Sequence, residues 1–491
     1  MLCGTGVSGR SVTTIGGTLP DNILLEIFDF YRKDHDYTYR ERTQRRDEVW
    51  EWPLFVHVCR RWRQVIFESP RRLNLQIFCT TRTPVMKNLG IWPALPIVIG
   101  YSDYGKNVKP REEGNVIAAL RHPNRVCSVT LEVPGPAVGR VATVMQESFP
   151  VLTHLFFYTW DRNAPVLPGG FLGGSAPCLH EIYIEGVPFP ALPALLLSTH
   201  DLVTLKLYNI PPTGYISPQA MVVGLAALPK LETLIVHFRL ATPRPNHIRS
   251  GPPVTRTVLP SLTHFRFKGA SEYLENLVAH IDSPQLHNID IEYLNQLVDF
   301  QVGQLSKFIG RSLGLKVTWF RHADVTFHDD RVNLTFTRGR QIDWDSGPAD
   351  VKTCIYCNDF DWQVSHMAQV LSYISAMIPF VIHLNLDSAC GYPQSKVVDH
   401  VDLQHLLRQF STVKTLHVYE ELTKHVALAL EDIMEEMVAE VLPSLDLIRL
   451  VGQPASSIAK FIAVRQRSGR TVTVIDTESE FDERLKSYAS E

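Results

Sequence analysis

The sequence predicts an α/β chain in two unequal parts: a small helical module near the N-terminus, then a long irregular solenoid that adds one strand per repeat. Three observations predict it. Two apolar stripes with helical spacing fall within residues 17–75, and beyond residue 120 an apolar pattern returns at steps of 23 to 32 residues. No apolar run approaches the about 18 residues that a membrane-spanning helix needs.

The helical module comes first. Pro20 suits a first helical turn, where its missing N–H costs nothing, and Asp21 favours the positive end of the helix dipole. Ile23, Leu24, Ile27 and Phe28 then recur at helical offsets, which puts all four on one apolar stripe. A second stripe runs from Leu54 and Phe55 through Val58, Cys59 and Trp62 to Ile66. Between them, Arg32 to Glu51 is charged and reads as a surface excursion. Two stripes this short are too small for an independent core and call for a partner surface.

The repeats follow. Each unit starts at a Pro or polar residue and places apolar side chains two, five and seven positions later. Pro150 leads Leu152, Leu155 and Phe157, and Pro177 leads Leu179, Ile182 and Ile184. The same spacing returns from His200, Pro229, Pro260 and Pro284, with a weaker early copy in Val126, Val129 and Leu131. Later copies start at Pro379, Ser411 and Pro443. An L-x-x-L-x-L unit at such periods is the mark of leucine-rich repeats, whose strands stack side by side and point alternate apolar residues into a shared core. Short helical returns, Pro193 to Ser198 and Ala220 to Leu228, would cover the convex side. A longer one carries Val426, Leu430, Ile433, Met434, Met437, Val438 and Val441 inward, with Glu431, Glu435, Glu436 and Glu440 as its solvated face.

Between the sixth and seventh full copies the pattern lapses. Candidate strands are Asp324 to His328, Val332 to Thr337 and Val351 to Cys357, consistent with an inserted hairpin. The Gly-rich stretch from Pro165 to Pro177 and the Pro-rich stretch from Ala241 to Pro253 read as loops projecting from the solenoid edge.

Period-two alternation assigns the residues between the inward positions to the exposed, concave strand face. These include His154, Phe156 and Tyr158, then Glu181, Tyr183 and Glu185, then Lys206, Tyr208 and His237. Arg266 and Lys268 read as a basic patch, and Asp290 and Glu292 as an acidic one after it. Phe156, Tyr158, Tyr183, Tyr208, His237, Arg266 and Lys268 are therefore the candidate substrate-binding set: aromatic anchors supply binding energy and charges set partner choice. Any solenoid must also show polar residues on this face, so the pattern alone leaves both readings open.

Chemistry-bearing motifs are few. Gly4-Thr5-Gly6-Val7-Ser8-Gly9 spells G-x-G-x-x-G, yet only three residues precede it, so no strand can feed a phosphate-cradling turn. Cys354 and Cys357 have the spacing of a zinc or redox pair, but a structural zinc needs two further ligands and only His366 is near, so packing on a strand is the simpler reading. None of the nineteen histidines forms an H-E-x-x-H pair. No nucleophile elbow or phosphate loop occurs either. No catalytic residue, metal or cofactor is expected. A formal charge of −3 favours neither nucleic acid nor membrane as a partner. The eight scattered cysteines read as reduced thiols, and Asn333-Leu334-Thr335 is a glycosylation sequon only in a secreted chain. With an N-terminus lacking signal-peptide features, these point to the cytoplasm or nucleus.

Leu19-Pro20, then Ile23-Leu24 and Ile27-Phe28, then Leu54, Val58-Cys59 and Trp62 resemble the F-box pattern. With the repeats behind it, the whole chain resembles the F-box and leucine-rich-repeat proteins abundant in mushroom-forming fungi. The resemblance implies a substrate receptor of a Skp-cullin-F-box ubiquitin ligase, which supplies proximity and catalyses nothing. It implies that Leu19, Pro20, Ile23, Leu24, Ile27, Phe28, Leu54, Val58, Cys59 and Trp62 face the Skp-family adaptor, through which cullin is reached, while the repeats hold an unknown protein substrate. The alternative is an adaptor-binding or decayed copy acting as a non-ligase scaffold; a hydrolase or transferase hidden in the irregular middle lacks its motifs. The expected organisation is a disordered leader over 1–16, the F-box-like module over 17–75, a linker and cap over 76–119, the solenoid over 120–478 and a tail over 479–491.

Overall fold

In the computed structural model the repeat units become neighbouring strands of one long sheet. The structure describes residues 19–33, 51–70, 75–82, 85, 89–90, 94–103, 110–240, 255–294, 303–312, 315, 320–337, 351–374, 378–388, 400–419, 422–433, 440–450 and 455–476. The expected leader and tail, residues 34–50 of the charged excursion and the Pro-rich loop fall outside them, as do Met434, Met437 and Val438.

The strands are β1 (Ile77–Thr80), β2 (Ile97–Ser102), β3 (Val126–Glu132), β4 (His154–Tyr158), β5 (Glu181–Glu185), β6 (Thr204–Ile210) and β7 (Thr233–Phe238). Next come β8 (Thr257–Val258), β9 (His264–Gly269), β10 (Ile281–Asp282), β11 (Asn288–Tyr293), β12 (His322–Phe327), β13 (Arg331–Thr337) and β14 (Val351–Tyr356). The last four are β15 (His383–Ser388), β16 (Thr415–Val418), β17 (Leu447–Leu450) and β18 (Thr473–Asp476). All but β8 and β10, which pair with each other, join a 16-stranded sheet. The fold is thus an α/β repeat solenoid with a largely parallel sheet.

The register shows why the spacing works. Leu155, Ile182, Leu205, Leu234, Phe265 and Ile289 lie side by side across six consecutive strands of the sheet, and Phe157, Ile184, Leu207, Val236, Phe267 and Ile291 form the next inward row. Both rows are buried. Helices such as Leu192–Leu196, Pro218–Leu225 and Ser271–Ala279 return the chain between strands. Helix Leu422–Glu431 buries Val426 and Leu430 as the sequence predicts.

The lapse in the pattern has a topological cause. After β11 the chain passes through helix Gly303–Arg311 to β12, which pairs with β15, and then comes back through β13 to β14, which pairs with β11. Among the described strands only β13 therefore runs against its neighbours. An antiparallel strand keeps the same period of two, so the inward row continues without a break through Val351, Phe336 and Ala323 to Leu384.

Two expectations are corrected here. Residues 76–119, read as linker and cap, contribute β1 and β2, so the sheet starts at Ile77. The Gly-rich stretch does not simply project: Leu167, Phe171 and Leu172 are buried in the core, and Gly173, at φ +64°, sits where a Cβ would meet the Ser148 backbone nitrogen at 2.6 Å.

Candidate functional site

Aromatic side chains collect on the face of the sheet opposite the inward rows, where they are half-buried. Phe156 stacks on Tyr183 at 4.3 Å between ring centroids, Tyr183 leans on Tyr208 at 5.2 Å, and Tyr208 meets His237 edge-on at 4.9 Å. Each contact joins adjacent strands, so the rings form a ladder from β4 to β7. Tyr158 packs on Trp160 at 6.1 Å beside it. Trp160 continues the alternation of Phe156 and Tyr158, a signal that the repeat template hid by ending at the strand.

His237 is 7% exposed and so offers no surface to a ligand. That corrects its place in the substrate-binding set. Burial, then the positive charge of Arg266, brings its imidazole down to about 4, so the ring is neutral at pH 7.

The basic patch is corrected as well. Arg266 Nη2 donates to Glu292 Oε1 at 2.9 Å, and Lys268 Nζ donates to Glu292 Oε2 at 2.8 Å and to the Tyr356 hydroxyl at 3.2 Å. Arg266 Nε also lies 2.9 Å from Asp290 Oδ2, a charge contact outside hydrogen-bond alignment. Two cations thus face two carboxylates on the adjacent strand, which leaves this part of the face close to neutral. Burial pushes the Glu292 carboxyl up, but the hydrogen bonds from Lys268 and Arg266 outweigh it and hold the group at about 2. Asp290 moves the other way, raised by burial against the pull of Arg266. Tyr356, on a strand outside the repeat pattern, escaped the sequence reading, yet it closes the network.

Cys354 lies on this same face, opposite Glu292 in the register, and is buried. Burial, then the negative charge of Glu292, raises its thiol to about 12, which suppresses the thiolate needed for metal binding or redox chemistry. Among the described residues no group of three or more His, Cys, Asp or Glu side chains could hold a metal ion, and no helix is long and apolar enough to cross a membrane.

The helical module divides its stripes between inside and outside. Helix Asp21–Lys33 turns Leu24, Leu25 and Phe28 inward, where Phe28 meets Phe55 at 5.1 Å and Trp62 at 4.9 Å. Leu24 and Phe28 are therefore core residues in this chain and not available to a partner. Ile23, 41% exposed, the half-buried Ile27 and Phe30, 68% exposed, follow one another at helical spacing on the outer side. Phe30 was missed because the motif ends at Phe28. The second stripe is two helices, Glu51–Val58 and Arg60–Glu68: Cys59 breaks it, with its Sγ accepting the Trp62 N–H as an N-cap. Val58 is consequently 59% exposed, and Cys59 is exposed too. Arg61 donates to the Leu19 carbonyl and, at 2.7 Å, to Asp21 Oδ1. That clamp ties the start of the first helix to the third, and Pro20, Ile23, Val58 and Cys59 are all exposed. Leu19 and Trp62 are partly buried against the core. The Leu54 side chain lies outside the described residues.

No family model matches this chain, and no curated protein matches it. Among solved structures it is similar to the leucine-rich repeat-containing protein LegL7 from Legionella pneumophila, at 12% sequence identity over 70% of this chain and 99% of that chain, with a TM-score of 0.26.

Proposed function

We propose that this chain is a non-catalytic substrate receptor of a Skp-cullin-F-box ubiquitin ligase, docking a Skp-family adaptor with its helical module and a protein substrate with the open face of the repeats. The observation that carries the reading is how the module divides its apolar stripes, leaving Pro20, Ile23, Val58 and Cys59 exposed while the Arg61 clamp ties the first helix to the third. Apolar side chains kept outside while Leu24 and Phe28 fill the core are what an adaptor could bury. The aromatic ladder offers rigid anchors at a second site, so the chain can hold two partners at once. The resemblance of its N-terminal stripes to the F-box pattern supplies the identity of the first partner.

The test uses the full chain co-expressed with a Skp adaptor and cullin. Ile23→Asp with Val58→Asp should abolish adaptor co-purification without shifting the unfolding midpoint, because both side chains are exposed. Tyr183→Ala with Tyr208→Ala should instead keep the adaptor and lose bound substrate. Unchanged adaptor binding in the first variant ends the F-box reading. Adaptor without cullin would leave a non-ligase scaffold.

A further inference from the structure

β18 lies at one edge of the sheet. It pairs in parallel with β17, and among the described residues no strand pairs with its other side. The Thr473 N–H donates to the Asp446 carbonyl at 2.9 Å, so Thr473 and Ile475 turn their backbone groups toward β17. Val474, between them, turns its N–H and C=O to the open edge, because the backbone polar groups of a strand alternate sides. The side chains repeat the pattern. One inward row passes through Leu384, Leu416 and Ile448, all fully buried, and ends at Val474, which is only half-buried against the core. From Thr471 to Ile475 the chain has no charge and no proline, the usual devices that keep an edge strand from pairing.

We propose that β18 pairs antiparallel with β18 of a second copy of this chain, joining two sheets across a two-fold axis. The inference goes beyond the receptor reading and does not depend on it. With Thr473 on the axis, Val474 of each copy stands opposite Val472 of the other, and the two residues exchange a closely spaced pair of hydrogen bonds through the groups that face the edge. Residues directly opposite share one face of a sheet, so Val472, 8% exposed, meets the half-buried Val474 of the second copy and the inward row continues from one molecule into the other. Charge selects the same direction. Arg467 and Arg470 precede the strand and Glu478 and Glu480 follow it, so antiparallel pairing of two copies sets unlike flanks together, whereas parallel pairing would set like against like.

The experiment follows the mass of the full chain by light scattering and sedimentation from about 1 to about 50 µM, with hydrogen exchange resolved to single amides. The mass should rise to twice that of one chain, and the Val474 amide should become protected as it does. Thr473→Lys, at an exposed position, sets two ammonium groups face to face on the axis and should weaken association at least about tenfold. Val474→Pro removes the outward N–H without touching a bond to β17 and should act alike. Unchanged exchange of the β17 amides in both variants is the control for an intact sheet. A monomer at the highest concentration, a dimer that survives both variants, or a Val474 amide that exchanges freely within the dimer overturns the proposal. So does a monomer that dimerises only once residues 477–491 are removed, which would make the chain's own C-terminal segment the occupant of the edge. Protection of Val474 that appears only on adding a Skp-family adaptor overturns it too, by making the occupant a different protein.

Discussion

Replacing Glu292 by Gln keeps the size of the side chain and removes one negative charge from between Arg266 and Lys268. The folded carboxyl titrates at about 2 against an ordinary 4.5, so the fold favours its charged form. That difference corresponds to about 3 kcal/mol at neutral pH. Glu292 itself is only 8% exposed, but the side chains of Arg266 and Lys268 are 40% and 26% exposed, and solvent at that end screens the pair. The expected loss in Glu292→Gln at pH 7 is therefore about 2 kcal/mol. Because the folded value lies below the ordinary one, the stabilisation is complete above pH 4.5 and drains away as pH falls toward 2. Urea unfolding of wild type and variant at pH 7 and pH 3, with hydrogen exchange of the β9, β11 and β14 amides, measures it. The gap should narrow at pH 3. Adding Lys268→Met should cost little more, since both changes remove one contact. A gap independent of pH, or fully additive losses, refutes the network.

Leu205→Ala and Leu234→Ala, both at fully buried positions, should each cost about 2 to 5 kcal/mol in denaturant unfolding, while Lys206→Ala, which loses a surface pair with Glu181, should cost under about 1 kcal/mol. Equal losses would contradict the register. Gly186→Ala should cost about 2 to 4 kcal/mol, because φ is +72° and the new Cβ would sit 2.4 Å from the Thr159 carbonyl oxygen. Gly174→Ala, at φ +66° in open space, should cost about 1 kcal/mol, so similar midpoints for the two would undo the argument.

The repeats were legible because each strand reads its own inward positions locally: Leu152, Leu155 and Phe157 are buried as their spacing predicts, and so are Leu445, Ile448 and Leu450. What spacing cannot reveal is which strands become neighbours once the chain doubles back. The three middle strands were found at nearly the right residues, but their order in the sheet depends on one reversed strand whose side chains alternate like any other. The site failed for the same reason. Arg266 and Glu292 are 26 residues apart, and sequence separation of that kind hides a hydrogen bond. In the helical module a single apolar stripe was expected where Leu24 and Ile23 go to opposite sides, because neighbours on a helix are about a third of a turn apart and only packing decides which goes in.

The saturated charges also have a place in the architecture. Arg266 and Lys268 stand on β9, Asp290 and Glu292 on β11, and Tyr356 on β14, the strand where the regular progression gives way to the returning hairpin. A joint between a repeat and an insertion lacks the matched packing that successive repeats give each other. A half-buried, cross-strand ion network fixes register there because a slip of one residue would strand Glu292 without its cations. Those charges are therefore spent on holding β9, β11 and β14 together. The carboxylates across β3–β5, where plain repeats stack with ring on ring, meet only neutral donors among the described residues and fix no such joint.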